Sequence, residues 1–132
     1  MARIMFHVPK IAFIYFMSFI LCSNSIAQKH TFTKNEGEFY SYNTKETIKS
    51  KDIDNITIEN LGKGLYKFSD SKEAKIFRYS HTDRGVHIYL NIAGLGAIKC
   101  MQPLSSFALG KPGKIIIEIQ GYSFELRYLL GN

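Results

Sequence analysis

The sequence predicts an all-β fold, an antiparallel meander of seven or eight short strands forming a sandwich or small barrel, with one short helix near residues 103–109. Two observations predict it. Apolar and polar residues alternate with period two along most of the chain, the mark of half-buried strands. Turn residues interrupt these rows at short, regular intervals, as they do in sandwiches and barrels.

In chain order, residues 28–36 are polar, carry Lys29, Lys34 and Glu36, and read as a loose N-terminal arm; residues 37–132 read as a single β domain. Thr44 to Asp54 is polar and charged and reads as a long connection with room for one helical turn. Ile56 and Ile58, Tyr66 and Phe68, and Phe77 and Tyr79 then alternate with polar neighbours. Val86, Ile88, Leu90 and Ile92 alternate with His87, Tyr89 and Asn91. Ile115, Ile117 and Ile119 form a further row, and Tyr122, Phe124, Leu126 and Tyr128 the last. Turns fall at Gly62-Lys63-Gly64, Ser69-Asp70-Ser71, Asp83-Arg84-Gly85, Gly94-Leu95-Gly96 and Pro112-Gly113. Pro112-Gly113 suits the centre of a type II turn, where glycine takes positive φ. Pro103 and Gly110 sit where a short helix would start and stop, and Phe107 within it would cap an open end of the sheet. A two-residue Gln120-Gly121 turn pairs Ile119 with Tyr122 and Ile117 with Phe124, all on one face.

The first 27 residues read as a secretory signal peptide. Arg3 and Lys10 give a weakly positive start, Ile11 to Cys22 is apolar except for Ser18, and Ser25-Ile26-Ala27 has the small-x-small form of a cleavage site. The expectation is export to the periplasm or the extracellular space, with cleavage after Ala27 and no stable membrane span thereafter. The rivals are an uncleaved anchor, for which the apolar run falls short of the roughly 20 residues a spanning helix needs, and lipid attachment at Cys22, which the bulky Leu21 before it opposes.

Charge narrows the partners. The chain holds 17 basic and 11 acidic residues; Arg3 and Lys10 go with the leader, leaving 15 against 11, a net charge of +4. The lysines are scattered, whereas a nucleic-acid binder shows a basic stripe with interleaved aromatics. Nucleic acid is therefore not an expected partner. Cys100 is alone after cleavage, so no intrachain disulfide is available, and stability must come from apolar burial. The thiol reads as a small buried hydrophobe, since its neighbour Lys99 would point to the opposite face of a strand.

The stretch from His81 to Cys100 looks the most chemical. A three-residue turn at Asp83-Arg84-Gly85 would bring His81 opposite His87 as a metal pair. It would also split Phe77 and Tyr79 from Val86, Ile88 and Leu90. A four-residue loop, Thr82 to Gly85, pairs His81 with Val86, and any even-length loop keeps those apolar residues on one buried face and separates the histidines. No metal site is expected. Gly94-Leu95-Gly96 lacks the third glycine and following helix of a phosphate cradle. The same register sets Arg78 beside Tyr89 and Ser80 beside His87, so Arg78, His87, Tyr89 and Asn91 form a candidate binding face for a glycan, peptide or carboxylate. Tyr40 and Tyr42, with Phe39 turned inward, form a second candidate patch.

No catalytic set is evident. There is no Gly-x-Ser-x-Gly elbow, and Cys100 has no histidine partner by spacing. Glu118 and Glu125 point outward on separate strands, with Glu118 near Ser123 and Glu125 near Ile116. The sequence thus predicts a secreted or periplasmic non-catalytic β domain with a binding or structural role and no cofactor. Its partner would be a glycan, a peptide or a protein. An inhibitor or immunity-like protein is the alternative, and a small hydrolase is the third reading.

Overall fold

The computed structural model describes residues 28–50, 53–119 and 121–132. The expected leader, residues 1–27, lies outside the described residues, as does Gln120 of the expected Gln120-Gly121 turn. The strands are β1 (Gln28–Phe32), β2 (Glu36–Ser41), β3 (Thr47–Ser50), β4 (Ile56–Gly62), β5 (Leu65–Ser69), β6 (Ala74–Asp83), β7 (Val86–Asn91), β8 (Ala97–Cys100), β9 (Gly113–Glu118) and β10 (Phe124–Leu130). One short helix, α1 (Leu104–Ala108), lies between β8 and β9.

The chain is all-β and antiparallel, as its alternation predicts. The described strands form a single ten-stranded sheet, ordered β1-β4-β5-β6-β7-β8-β9-β10-β2-β3 and curled into a half-barrel. The run from β4 to β10 is a meander, and the three earlier strands flank it on both sides.

Two of those flanking strands differ from what the sequence suggests. Residues 28–32 are not part of a loose arm. They form β1, with His30 opposite Ile58 and Phe32 opposite Ile56. Phe32 is the one strong hydrophobe there, and it is fully buried. Likewise Thr47–Ser50, within the expected long connection, pairs with β2, Phe39 opposite Ile48. In both segments a lone apolar side chain is ordered by pairing with a richer strand, a tertiary effect that local pattern does not display.

Only residues 33–35 link β1 to β2, although the two strands occupy the first and ninth places in the sheet. The sheet must therefore curl until its ends approach. Asn35 fastens them. It is 5 % exposed, donates through Nδ2 to Phe32 O at 2.8 Å and Asp54 O at 3.0 Å, and accepts from Gly131 N–H at 3.2 Å. Lys34 N–H adds a bond to Gly131 O at 2.9 Å.

The core lies on the concave face. Phe77, Tyr89, Ile98 and Ile115 point into it from successive parts of the meander, and Phe68 of β5 stacks on Tyr128 of β10 across the interior. Helix α1 packs on β1 and β4 and plugs one end with Leu104, Phe107 and Ala108, all buried. Pro103 stands at its N-cap in extended geometry, one position earlier than a first helical residue. Gly113 does not sit at positive φ, so the expected type II turn at Pro112-Gly113 does not form; the left-handed residue is Gly110, φ 98°. Glycine at 113 leaves room for two neighbours, since a Cβ there would lie 2.9 Å from Gln102 Oε1 and 3.1 Å from the Phe107 ring.

Candidate functional site

The first candidate face is dispersed by one bulge. The β6–β7 turn is the two-residue Arg84-Gly85, with φ of 53° and 82°, and it pairs Asp83 with Val86 and His81 with Ile88. Pairing then slips between Tyr79 and His81, so that Tyr79 faces Tyr89, Arg78 faces Leu90 and Phe77 faces Asn91. His81 does not pair with Val86, nor Arg78 with Tyr89, nor Ser80 with His87. A bulge reverses the parity of everything beyond it. It moves Phe77 and Tyr79 to the face of Tyr89 and leaves Val86, Ile88 and Leu90 on the convex side.

The consequences for the four residues are direct. Tyr89 is 2 % exposed and belongs to the core. Its Oη accepts the Leu104 N–H at 2.9 Å, holding the start of α1, and burial pushes its phenol up to about 12. His87 and Asn91 share the Tyr89 side: His87 Nδ1 lies 3.0 Å from Thr82 Oγ1, and Asn91 Oδ1 accepts the Ala93 N–H at 3.0 Å. Arg78 lies on the other face beside Leu90. They do not make one binding face. His81, paired with Ile88, and His87, paired with Thr82, point to opposite sides of the sheet. Cys100 is buried opposite His87, and burial pushes its thiol up to about 12, so it is inert as a nucleophile at neutral pH.

The second patch, by contrast, gains partners. Tyr40 and Tyr42 meet with ring centroids 5.7 Å apart, and the Arg127 guanidinium lies 4.0 Å above the Tyr40 ring. Tyr42 Oη lies 2.5 Å from Glu125 Oε2 and 3.0 Å from Glu118 Oε2. These two carboxylates stand directly opposite each other on β10 and β9, because Ile117 pairs with Leu126 rather than Phe124. Glu118 therefore does not pair with Ser123, nor Glu125 with Ile116. Like charges placed so would repel. Lys99 Nζ, 2.8 Å from Glu118, and Arg127 Nε, 2.5 Å from Glu125, offset them.

Burial works to raise the Glu125 pKa, but hydrogen bonds from Tyr42 and Arg127 outweigh it and hold the carboxyl below its ordinary value. Burial and the two carboxylates together push the Tyr42 phenol well up. An open cleft of about 540 Å³ runs beside this cluster, lined by Lys99, Met101, Gln102, Lys114 and Ile116. The Tyr42 hydroxyl bonds both carboxylates and so occupies the gap where a scissile oxygen would have to sit, and the Glu125 carboxyl is held below its ordinary value rather than raised toward the range of a general acid. The cluster is a charge-balanced clamp that pins the turn after β2 onto β9 and β10.

The largest feature not legible in the sequence is a concave apolar row. Side chains at matched positions run Tyr79–Tyr89–Ile98–Ile117–Leu126–Phe39–Ile48 across seven consecutive strands. Burial is deepest at its centre and fades toward β3: Ile98 is 0 % exposed, Phe39 36 % and Ile48 63 %. Phe39, turned to the concave side as expected, stacks on Phe124 at 4.7 Å, and Tyr122 follows at 5.5 Å. At the end of the half-barrel away from α1, Phe68, Ile117, Leu126 and Tyr128 line a cavity of about 270 Å³ whose rim carries Asp70, Glu73 and Lys75. The signal in the sequence was slight: Ile48 is the one apolar residue between Thr44 and Asp52.

No described helix is long and apolar enough to cross a membrane. No family model, curated protein or solved structure matches the chain, so function has to be read from its own sites.

Proposed function

We propose that this chain is an exported, non-catalytic binding domain whose binding surface is the open half of its concave sheet face. The observation that carries the reading is the unroofed end of the apolar row. Phe39 and Ile48 continue a packed core row out to the sheet edge, and among the described residues nothing packs over Ile48, which is 63 % exposed. A contiguous apolar surface left open on a concave face, rimmed by charge, is the common form of an interaction site. Export rests on the leader read at residues 1–27, and among the described residues the lowered Glu125 carboxyl and the buried Cys100 thiol favour binding over chemistry.

An environment-sensitive apolar dye tests the binding surface. The chain should bind it saturably, Phe39→Ser and Ile48→Ser should each weaken binding, and the convex-face control Leu90→Ser should leave it unchanged. Equal binding by all four proteins, or no saturable binding, would sink the reading. Export is tested separately by mass: a mature protein beginning at Gln28 in the periplasm or medium supports it, and an intact Met1 start in the membrane fraction overturns it.

A further inference from the structure

We infer that β3 is the docking edge for an extended segment of another protein, one that alternates apolar and acidic side chains and joins the sheet as an added strand. The inference rests on the concave-face reading above, because the added strand's apolar side chains would extend that same row.

The two ends of the sheet are not alike. At β1, the far side is covered: α1 packs against it, His30 Nε2 lies 2.5 Å from Asn132 Oδ1, and Asn132 Nδ2 donates to Gly110 O at 3.1 Å. At β3, no described strand pairs on the far side, and all four residues are exposed. The outward backbone groups of an edge strand are a template for pairing with another chain.

Which groups face outward follows from the pairing. Ser41 N–H donates to Glu46 O at 3.0 Å, which places Ser41 and Glu46 in a hydrogen-bonded position. Antiparallel ladders alternate, so Ile48, opposite Phe39, also bonds toward β2, whereas Thr47 and Lys49 turn N–H and C=O away from it. The edge therefore offers two residues' worth of donors and acceptors.

Side-chain rows specify what should lie alongside. The concave row ends at Ile48 and calls for an apolar neighbour. The convex row runs Arg127–Glu38–Lys49, alternating in sign, and calls for an acidic one. Neighbouring residues of a strand point to opposite faces, so a segment that satisfies both rows alternates apolar and acidic residues. A second copy is a poor fit, since β3 and its flanks would bring Lys45 and Lys49 against their own like.

Two labelled, end-blocked peptides test this by fluorescence anisotropy: four Val-Glu repeats and four Val-Lys repeats. The Val-Glu peptide should bind the folded chain saturably, and the Val-Lys peptide should bind roughly five- to tenfold more weakly, the scale of exchanging an attractive cross-strand charge pair for a repulsive one. Lys49→Glu should reverse the preference. Lys49→Pro removes an outward N–H without touching the β2 ladder, so it should abolish binding of both peptides while the melting temperature and dye binding hold. Equal binding of the two peptides, no binding of either, binding that survives Lys49→Pro, or self-association of the chain through β3 would each overturn the inference. Loss of peptide binding with dye binding intact defeats this inference alone; loss of dye binding with peptide binding intact defeats the concave-face reading instead.

Discussion

Phe107 of α1 meets Phe32 of β1 edge-on, ring centroids 6.0 Å apart, and both side chains are 0 % exposed. The contact joins the helix that plugs the half-barrel to the strand that closes its first edge. Phe107→Ala should therefore cost about 3–5 kcal/mol, the usual range for emptying a buried aromatic site. A chain starting at Glu36 loses β1 and Asn35 together and should lose its cooperative urea transition. If residues 28–35 can be removed with no change in the urea midpoint, β1 does not close the fold.

Asn35 makes a second test of closure, by polar rather than apolar means. Its side chain serves two carbonyls and one N–H from three separate segments, at a buried position. Asn35→Ala strands those groups, and unsatisfied buried backbone groups cost about 1–3 kcal/mol each. Only the bond to Phe32 O is fully buried, and the other two groups are part-buried and can rehydrate, so we expect a loss of roughly 2–3 kcal/mol at an unchanged denaturant m-value. Asn35→Asp should not rescue it, because a carboxylate cannot donate to Phe32 O and Asp54 O. A stable Asn35→Asp protein would show that the donor half of the clasp is unimportant.

Period two in the sequence was enough for the fold class, because burial against a sheet imposes alternation directly, and the spacing of Pro103 and Gly110 was enough for the short helix that carries the buried Phe107. It was not enough for register. The bulge between Tyr79 and His81 leaves no mark in the sequence, yet it exchanges the faces of Phe77 and Tyr79 relative to β7. β7 is apolar on both parities, Val86-Ile88-Leu90 on one and Tyr89 on the other, so patterning could not choose between them; Tyr89 is the buried set and Leu90 is 48 % exposed. The carboxylate pair was missed for a related reason. A two-residue turn before β10 would offset Glu118 and Glu125, and the longer connection places them face to face. Tyr40 and Tyr42 were legible as a patch, but their partners come from β9 and β10, distant in sequence. β1 and β3 were hidden because each holds one apolar residue whose burial or exposure is set by the strand beside it.

The clamp around Glu125 fixes how stability should respond to acid. Burial opposes its ionisation, but Tyr42 and Arg127 more than compensate, so its folded pKa lies below the ordinary 4.5. In that range the native chain binds fewer protons than the unfolded chain, so this contribution is complete above pH 4.5 and is lost as pH falls through the lowered value. Glu125→Gln removes the charge while keeping the shape. It should cost about 1–2 kcal/mol at pH 7, the scale of losing charge-assisted hydrogen bonds in a partly shielded site. The gap between the two proteins should then narrow as pH falls below 4.5, as the wild-type carboxylate itself becomes protonated. Urea midpoints taken across the acid range check both parts. Parallel stability curves for Glu125→Gln and the native chain would mean that Glu125 carries no net stabilising charge, and that the Tyr42–Glu118–Glu125 cluster is held by packing alone.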